Sequence, residues 1–182
     1  MQSESSAATQ SLLIAKFDKA LHDRSAFCCG FEPIDNFLKS SLSGQIKDDL
    51  CQAWVAIDEN HAVLGFYTLG AMGIRPEVLP EKLTRARVPD IPAIYIRAVA
   101  ITKVAQGHGL GTALVIDAIK RCLEISQGMG AAAIVLDVLK DESFDRRKKF
   151  YAKLGFRDLV DPGNPERVYI PMADVRATFE PA

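Results

Sequence analysis

Apolar residues in this chain gather in short runs of strand length, broken by polar turns and by stretches of helical character. Residues 12–17 (LLIAKF) read as a first strand and 23–30 as turn. Ile34, Phe37, Leu38 and Leu42 then recur at the spacing of one helix face. Pro33 sits in the first turn of that helix, where its missing N–H costs nothing, and Gly44 is expected to end or interrupt it. Residues 52–58 and 62–69 are apolar segments joined by Glu59-Asn60-His61, the pattern of a β-hairpin with Trp54 and Phe66 in the core. Residues 74–92 are rich in proline and arginine and read as a long excursion from the sheet, of a length that is often functional. A central strand over 93–101, a helix over 110–127 and a buried strand over 132–139 follow. The pattern then predicts a helix over 141–154 closed by Gly155, and closing strands over 156–160 and 167–171. This order is an α+β layout around one mixed sheet.

Composition narrows the class. At 182 residues the chain is expected to be one domain over 11–175, with a Ser/Ala/Gln-rich tail at 1–10 and a disposable tail at 176–182. A hydrophobic content of 48% is enough for a packed core and too high for a disordered chain. No apolar run reaches the ~18 residues of a membrane helix, and residues 1–10 lack the pattern of a signal peptide. Cys28, Cys29, Cys51 and Cys122 show neither C-x-x-C spacing nor a Cys/His cluster. They read as reduced cysteines of a cytoplasmic protein, with no metal site expected. A net charge of −1 does not advertise nucleic-acid binding. Its distribution is uneven, however: Arg146-Arg147-Lys148-Lys149 is a basic run with Lys153 and Arg157 close behind, and Arg85 and Arg87 mark another. Each is compatible with a solvated face or with a polyanion contact.

The residues that carry chemistry begin where the central strand ends. Gly107, Gly109 and Gly111 alternate there, and glycine lets the backbone take conformations closed to other residues and approach a ligand closely. The helix that starts near Leu110 aims its free N–H groups and positive dipole end back at the loop. Together they make a site for phosphate or pyrophosphate. No lysine follows Gly109-Leu110-Gly111, which excludes a P-loop, and the spacing is not the G-x-G-x-x-G of dinucleotide folds.

Gln106-Gly107-His108-Gly109-Leu110-Gly111 does match Q/R-x-x-G-x-G/A, and Phe150-Tyr151-Ala152-Lys153-Leu154-Gly155-Phe156 resembles F-Y-x-x-x-G-F. At this separation the two resemble the GCN5-related N-acetyltransferase (GNAT) family over nearly the whole chain. The resemblance implies a GNAT fold, a mixed central sheet with splayed parallel strands flanked by helices, and acetyl-CoA in the gap between those strands. Backbone groups of Val99, Ala100 and Ile101 would pair with the pantetheine arm. Gln106, Gly107, His108, Gly109, Leu110, Gly111 and Thr112 would surround the pyrophosphate, and Phe150 would pack against the cofactor. Tyr151 would be the general acid at the leaving sulfur. The reaction would be direct transfer, with no acetyl-cysteine.

The N-terminal half narrows the resemblance. His22-Asp23-Arg24, Phe27-Cys28-Cys29-Gly30 and Ile34-Asp35-Asn36-Phe37-Leu38, with Leu79-Pro80 and Ile91-Pro92, are similar to marks of the acetyltransferase toxins of bacterial type II toxin–antitoxin systems. That implies acetylation of the α-amino group of aminoacyl-tRNA, inhibited translation, a ribbon-helix-helix antitoxin and a homodimer. One segment departs from the subgroup. Where it has R-L-A-V-D, this chain has Ala98-Val99-Ala100-Ile101-Thr102, with the arginine at Arg97. The substrate chemistry agrees with an α-amine. At pKa ~7.8 it is roughly a tenth neutral at pH 7, so it needs little help from a base. Arg146, Arg147 and Lys149 are the candidates for meeting tRNA phosphates. The competing reading is an acetyltransferase for a small amine or a protein N-terminus.

Overall fold

The chain's structure is a computed structural model that describes residues 13–80, 83, 85 and 87–180. Its strands are β1 (Leu13–Lys16), β2 (Gln52–Ile57), β3 (Val63–Ile74), β4 (Ile91–Ile101), β5 (Ala133–Asp137), β6 (Arg157–Asp158) and β7 (Arg167–Pro171). The helices are α1 (Glu32–Asn36), α2 (Leu42–Lys47), α3 (Leu110–Gly128), α4 (Phe144–Lys153) and α5 (Met172–Phe179). All seven strands join one sheet in the order β1-β2-β3-β4-β5-β7-β6. Only β4 and β5 pair in parallel, so the sheet is mixed, as the pattern predicts.

Helix α3 covers one face because its apolar residues form a single stripe. Leu114, Val115, Ala118, Ile119 and Cys122 are fully buried, against Tyr67, Ile94, Ile96, Ile134 and Leu136 of the strands. Leu114, Val115 and Ile119 each contribute about 1.5–3 kcal/mol by leaving water. Helix α5 packs on the same cluster through Met172 and Val175. The opposite face carries two separate apolar clusters. One lies under α1 and α2 and includes Phe27, Leu38, Leu42 and Phe66. The other, with Ile74, Val78, Ile91 and Tyr169, lies where the long β3–β4 arm meets β5 and β7.

The structure corrects four expectations. Gly44 does not end the second helical segment. A π-helical turn at Phe37–Ser41 interrupts it instead, and α2 runs on through Gly44 to Lys47. A lone glycine costs a helix only about 1 kcal/mol, and nothing lies within 4 Å of the position of a Cβ there. The wider turn is held from outside, because Arg24 donates to the Leu38 carbonyl at 2.7 Å and to Ser43 Oγ at 3.0 Å. The excursion shrinks, since β3 continues to Ile74 and pairs it with Ile91. Helix α4 starts at Phe144 rather than 141, because Asp141 turns the chain by accepting the Ser143 N–H at 2.8 Å. The C-terminal segment expected to be a disposable tail is helical through Phe179. Lys120 lies 5.6 Å from the Phe179 ring, and Gln127 donates to Glu180 at 2.7 Å. The expected tail at 1–10 lies outside the described residues.

Candidate active site

Strands β4 and β5 are hydrogen-bonded only from Ala93↔Ala133 to Ile96↔Leu136. Beyond Ile96 they part, while β4 stays paired on its other side to β3, with Val99↔Tyr67, Ala100↔Phe66 and Ile101↔Gly65. The β5-facing edge of Val99, Ala100 and Ile101 therefore offers backbone groups to a ligand. The glycine loop follows directly. Gly107 and Gly109 both have φ of +83°, which places them in the left-handed region that favours glycine, and no atom crowds either position. The first amides of α3 have no intrahelical acceptor, and a 19-residue helix stands behind them. His108 and Thr112 are exposed beside this end, whereas Leu110 is buried and anchors it. An open strand edge leading to a cradle of free amides fits an extended thioester with a pyrophosphate at its far end.

Two polar side chains fix the cradle from below. Gln106 Nε2 donates to the Ile101 carbonyl at 2.9 Å and to the Cys29 carbonyl at 3.1 Å. Its amide thus bridges the loop to the 28–30 turn rather than reaching outward. Thr102, in the segment that departs from the toxin pattern, is buried, and its hydroxyl takes the Cys28 N–H at 3.2 Å. Lys103 N–H donates to the Cys28 carbonyl at 2.8 Å. The four cysteines are free, and burial pushes Cys29 up to about 11, with Asp35 adding to the rise, so it is a poor nucleophile at neutral pH.

Tyr151 projects from α4 toward the side of the sheet that α3 covers. Its half-buried ring lies edge-on to Phe150, with centroids 5.1 Å apart, and to Phe156, at 5.7 Å. Burial pushes its phenol up to about 12, with the Arg147 charge opposing the rise. It therefore holds its proton throughout the neutral range. The basic run on the same helix divides. Arg147 pairs with Asp141 and donates to the Leu139 carbonyl at 3.2 Å, and Lys148 pairs with Asp158. Arg146 is exposed beside Ser143 Oγ at 3.1 Å, and Lys149 is exposed.

The opposite face holds a polar row whose members no single local pattern brings together. Asp137, the last residue of β5, accepts from Arg167 Nε at 2.7 Å, Arg167 Nη2 at 3.0 Å and the Tyr95 hydroxyl at 2.8 Å. Its half-burial would raise the carboxyl, but these donors outweigh that and hold it below the ordinary carboxylate range. A carboxylate so saturated is a poor base. Arg97 is the first β4 residue past the last β4–β5 pair, where the β3–β4 register slips between Thr68 and Leu69. Among the described residues no group of His, Cys, Asp or Glu is arranged to hold a metal, and no helix is long and apolar enough to cross a membrane.

Residues 49–158 match the family model described as "Acetyltransferase (GNAT) domain". A relative called "Probable toxin TacT", from Sinorhizobium fredii (strain NBRC 101917 / NGR234), is 34% identical over 91% of this chain and 93% of its own length. The solved structure of AtaT complexed with acetyl-methionyl-tRNAfMet superposes with a TM-score of 0.82 at 26% identity, covering 92% of this chain and 99% of that one. A tyrosine-to-phenylalanine variant of the toxin AtaT, bound to the C-terminus of the antitoxin AtaR and acetyl-CoA, gives 0.77 at 25% identity over 93% and 98%. With the matched domain spanning the splayed strands, the glycine cradle and Tyr151, this chain belongs to the GNAT acetyltransferase family.

Proposed function

We propose that this chain is an acetyl-CoA-dependent N-acetyltransferase that acetylates the α-amino group of aminoacyl-tRNA and so inhibits translation, as the toxin of a type II toxin–antitoxin pair. The observation that carries this reading is the parting of β4 and β5 between a pyrophosphate cradle and a protonated tyrosine, in a chain similar along nearly its whole length to AtaT in complex with acetyl-methionyl-tRNAfMet.

The thioester supplies an activated acetyl group. The free edge of Val99, Ala100 and Ile101 holds the pantetheine arm as an added strand and polarises the carbonyl. The amides of Gly107 to Gly111, with His108 and Thr112 at the rim, hold the pyrophosphate, and Gln106 keeps that loop in register. Phe150 braces the Tyr151 ring. The neutral amine attacks the thioester carbonyl, the proton in excess on its nitrogen passes to solvent, the carbon–sulfur bond breaks, and CoA leaves as a thiolate whose growing charge the Tyr151 hydroxyl meets by donating a hydrogen bond. An α-amine with pKa ~7.8 supplies enough neutral nucleophile without an enzymic base, which agrees with Asp137 being occupied. Arg146 and Lys149 meet phosphates of the nucleic acid, while Arg147 mainly fastens the start of α4. A ribbon-helix-helix antitoxin, a homodimer and a cytoplasmic setting complete the reading.

The test is label transfer from acetyl-CoA to total charged tRNA, with deacylated tRNA and a peptide panel in parallel. Label on charged tRNA alone is the expected result. Label on peptides or small amines would move the function to the competing acetyltransferase class and leave the role of Tyr151 standing.

A further inference from the structure

The β4 bulge places one cation where the two strands part, on the face opposite α3. Arg97 is exposed there, and its Nη1 donates to Gln45 Oε1 of α2 at 2.8 Å. The guanidinium lies 6.0 Å from the centre of the Phe37 ring, which the π-helical turn presents. Two elements therefore fix its orientation. Among the described residues no carboxylate pairs with it. Asp137, which follows the last β5 partner of β4, is taken by Arg167 and Tyr95. An arginine whose direction is set and whose charge is uncompensated is prepared for an anion, and its remaining Nε–Nη2 edge has the fork geometry that suits phosphate.

The site's two substrates reach the splay from different sides. The glycine cradle takes the pyrophosphate of one, and Tyr151 approaches from the α3 side. Arg97 lies on the side away from α3, between Tyr95, which packs on the cluster under the β3–β4 arm, and Ala98, which belongs to the cluster under α1 and α2. On an aminoacyl-tRNA the amino acid is an ester and carries no free α-carboxylate. The anion nearest the reacting amine that every such substrate shares is the phosphodiester that precedes the terminal nucleoside. We propose that Arg97, held by Gln45 and Phe37, binds this terminal phosphodiester and so sets where the α-amine stands relative to the thioester. The inference rests on the charged-tRNA reading above and assigns Arg97 a role separate from that of the basic run on α4.

The experiment measures kcat/KM with labelled acetyl-CoA for wild type, Arg97→Ala, Arg97→Lys and Gln45→Ala on two acceptors. One is charged tRNA, and the other is an aminoacyl-adenosine that lacks the phosphate. The preference of wild type for charged tRNA over the phosphate-free acceptor is expected to fall about ten-fold or more in Arg97→Ala, chiefly through KM for the tRNA. Arg97→Lys should recover part of that loss by keeping the charge without the fork, and Gln45→Ala should show a smaller loss of the same kind. An equal loss on both acceptors, no loss on either, or a rise in KM for acetyl-CoA would each overturn the assignment. Wild type that transfers nothing to charged tRNA would instead remove the functional reading itself, an outcome visible before any variant is compared.

Discussion

Replacing Tyr151 by Phe removes one oxygen from the site and leaves the packing in place. The ring keeps its edge contacts with Phe150 and Phe156, at 5.1 and 5.7 Å between centroids, so unfolding free energy should change by less than about 1 kcal/mol. KM for acetyl-CoA should stay within about two-fold, because the cradle lies on β4 and α3 rather than on α4. The catalytic loss follows from matching acid to leaving group. Burial sets the phenol at about 12, whereas a thiol lies near ~8.5. Full proton transfer to the sulfur is uphill by roughly three units, so Tyr151 acts by a hydrogen bond that strengthens as negative charge develops. That places its effect at the low end of general-acid catalysis, about 10²-fold in kcat, or ~2.7 kcal/mol of barrier. The sign of the pH dependence also follows. The acid works while protonated and is lost only as pH rises through about 12. The wild-type rate should therefore climb with deprotonation of the amine near ~7.8 and then hold level to about pH 10. Thiol release followed by chromogenic disulfide exchange, at saturating acetyl-CoA, measures both quantities. A Tyr151→Phe enzyme within about three-fold of wild type would refute the general-acid role. A falling limb below pH 10 that the substitution abolishes would refute the account of its environment.

Four further outcomes test other parts of the structure. Gly109→Ala puts a Cβ into open space but at φ +83°, a strain of about 1–2 kcal/mol. Calorimetry should show acetyl-CoA binding weakened several-fold with only a modest drop in melting temperature. Arg24→Ala strips the Leu38 carbonyl and Ser43 of their donor and should cost about 1.5–3 kcal/mol in urea unfolding. Val175→Asp places a carboxylate in a site 1% exposed under α5, and should cost roughly 3 kcal/mol or more. A harmless effect would refute the packing of α5 on the α3 cluster. Reversing Arg146 and Lys149 to Glu should flatten the slope of log kcat/KM against log[salt] for tRNA acetylation by about one for each lost phosphate contact. Arg147 is left out because a carboxylate there would face Asp141. An unchanged slope would remove the α4 run from the interface.

The strands, the positive-φ glycine loop and the helix that carries Tyr151 were legible because each is a local signal: a short apolar run, glycines at a strand-to-helix junction, a stretch closed by a glycine. The α5 helix was not, since MADVRATF buries only Met172 and Val175 and its residues from Arg176 on read as tail. The π-helical turn was hidden for a related reason. Its apolar residues keep a helical spacing, and what stabilises the wider turn is Arg24, from a separate loop. The polar row of Tyr95, Asp137 and Arg167 comes from three strands, and only the register shows that they converge.

Arg97 belongs to a different class, because its signal was present and concerns parity. Along β4 the residues that pack under α3 are Ile94 and Ile96, then Val99 and Ile101. A regular strand alternates faces with a period of two, so the step from 96 to 99 means that one residue has been passed over. On the other face Ala93 and Tyr95 give way to Ala98 and Ala100 with the same slip. A bulge bends its strand and leaves the extra residue out of the ladder. Here the bend falls where β5 is lost as a partner, and the residue left out is an arginine. One local irregularity thus opens the strand edge that would hold the thioester and presents a cation on the side from which an acceptor approaches. The bulge is not what turns the arginine away from α3, since residue 97 of a regular strand would already share the face of Tyr95. What the bulge changes is that Arg97 leaves the ladder between Ile96 and Ala98, and that β4 bends where its edge loses β5.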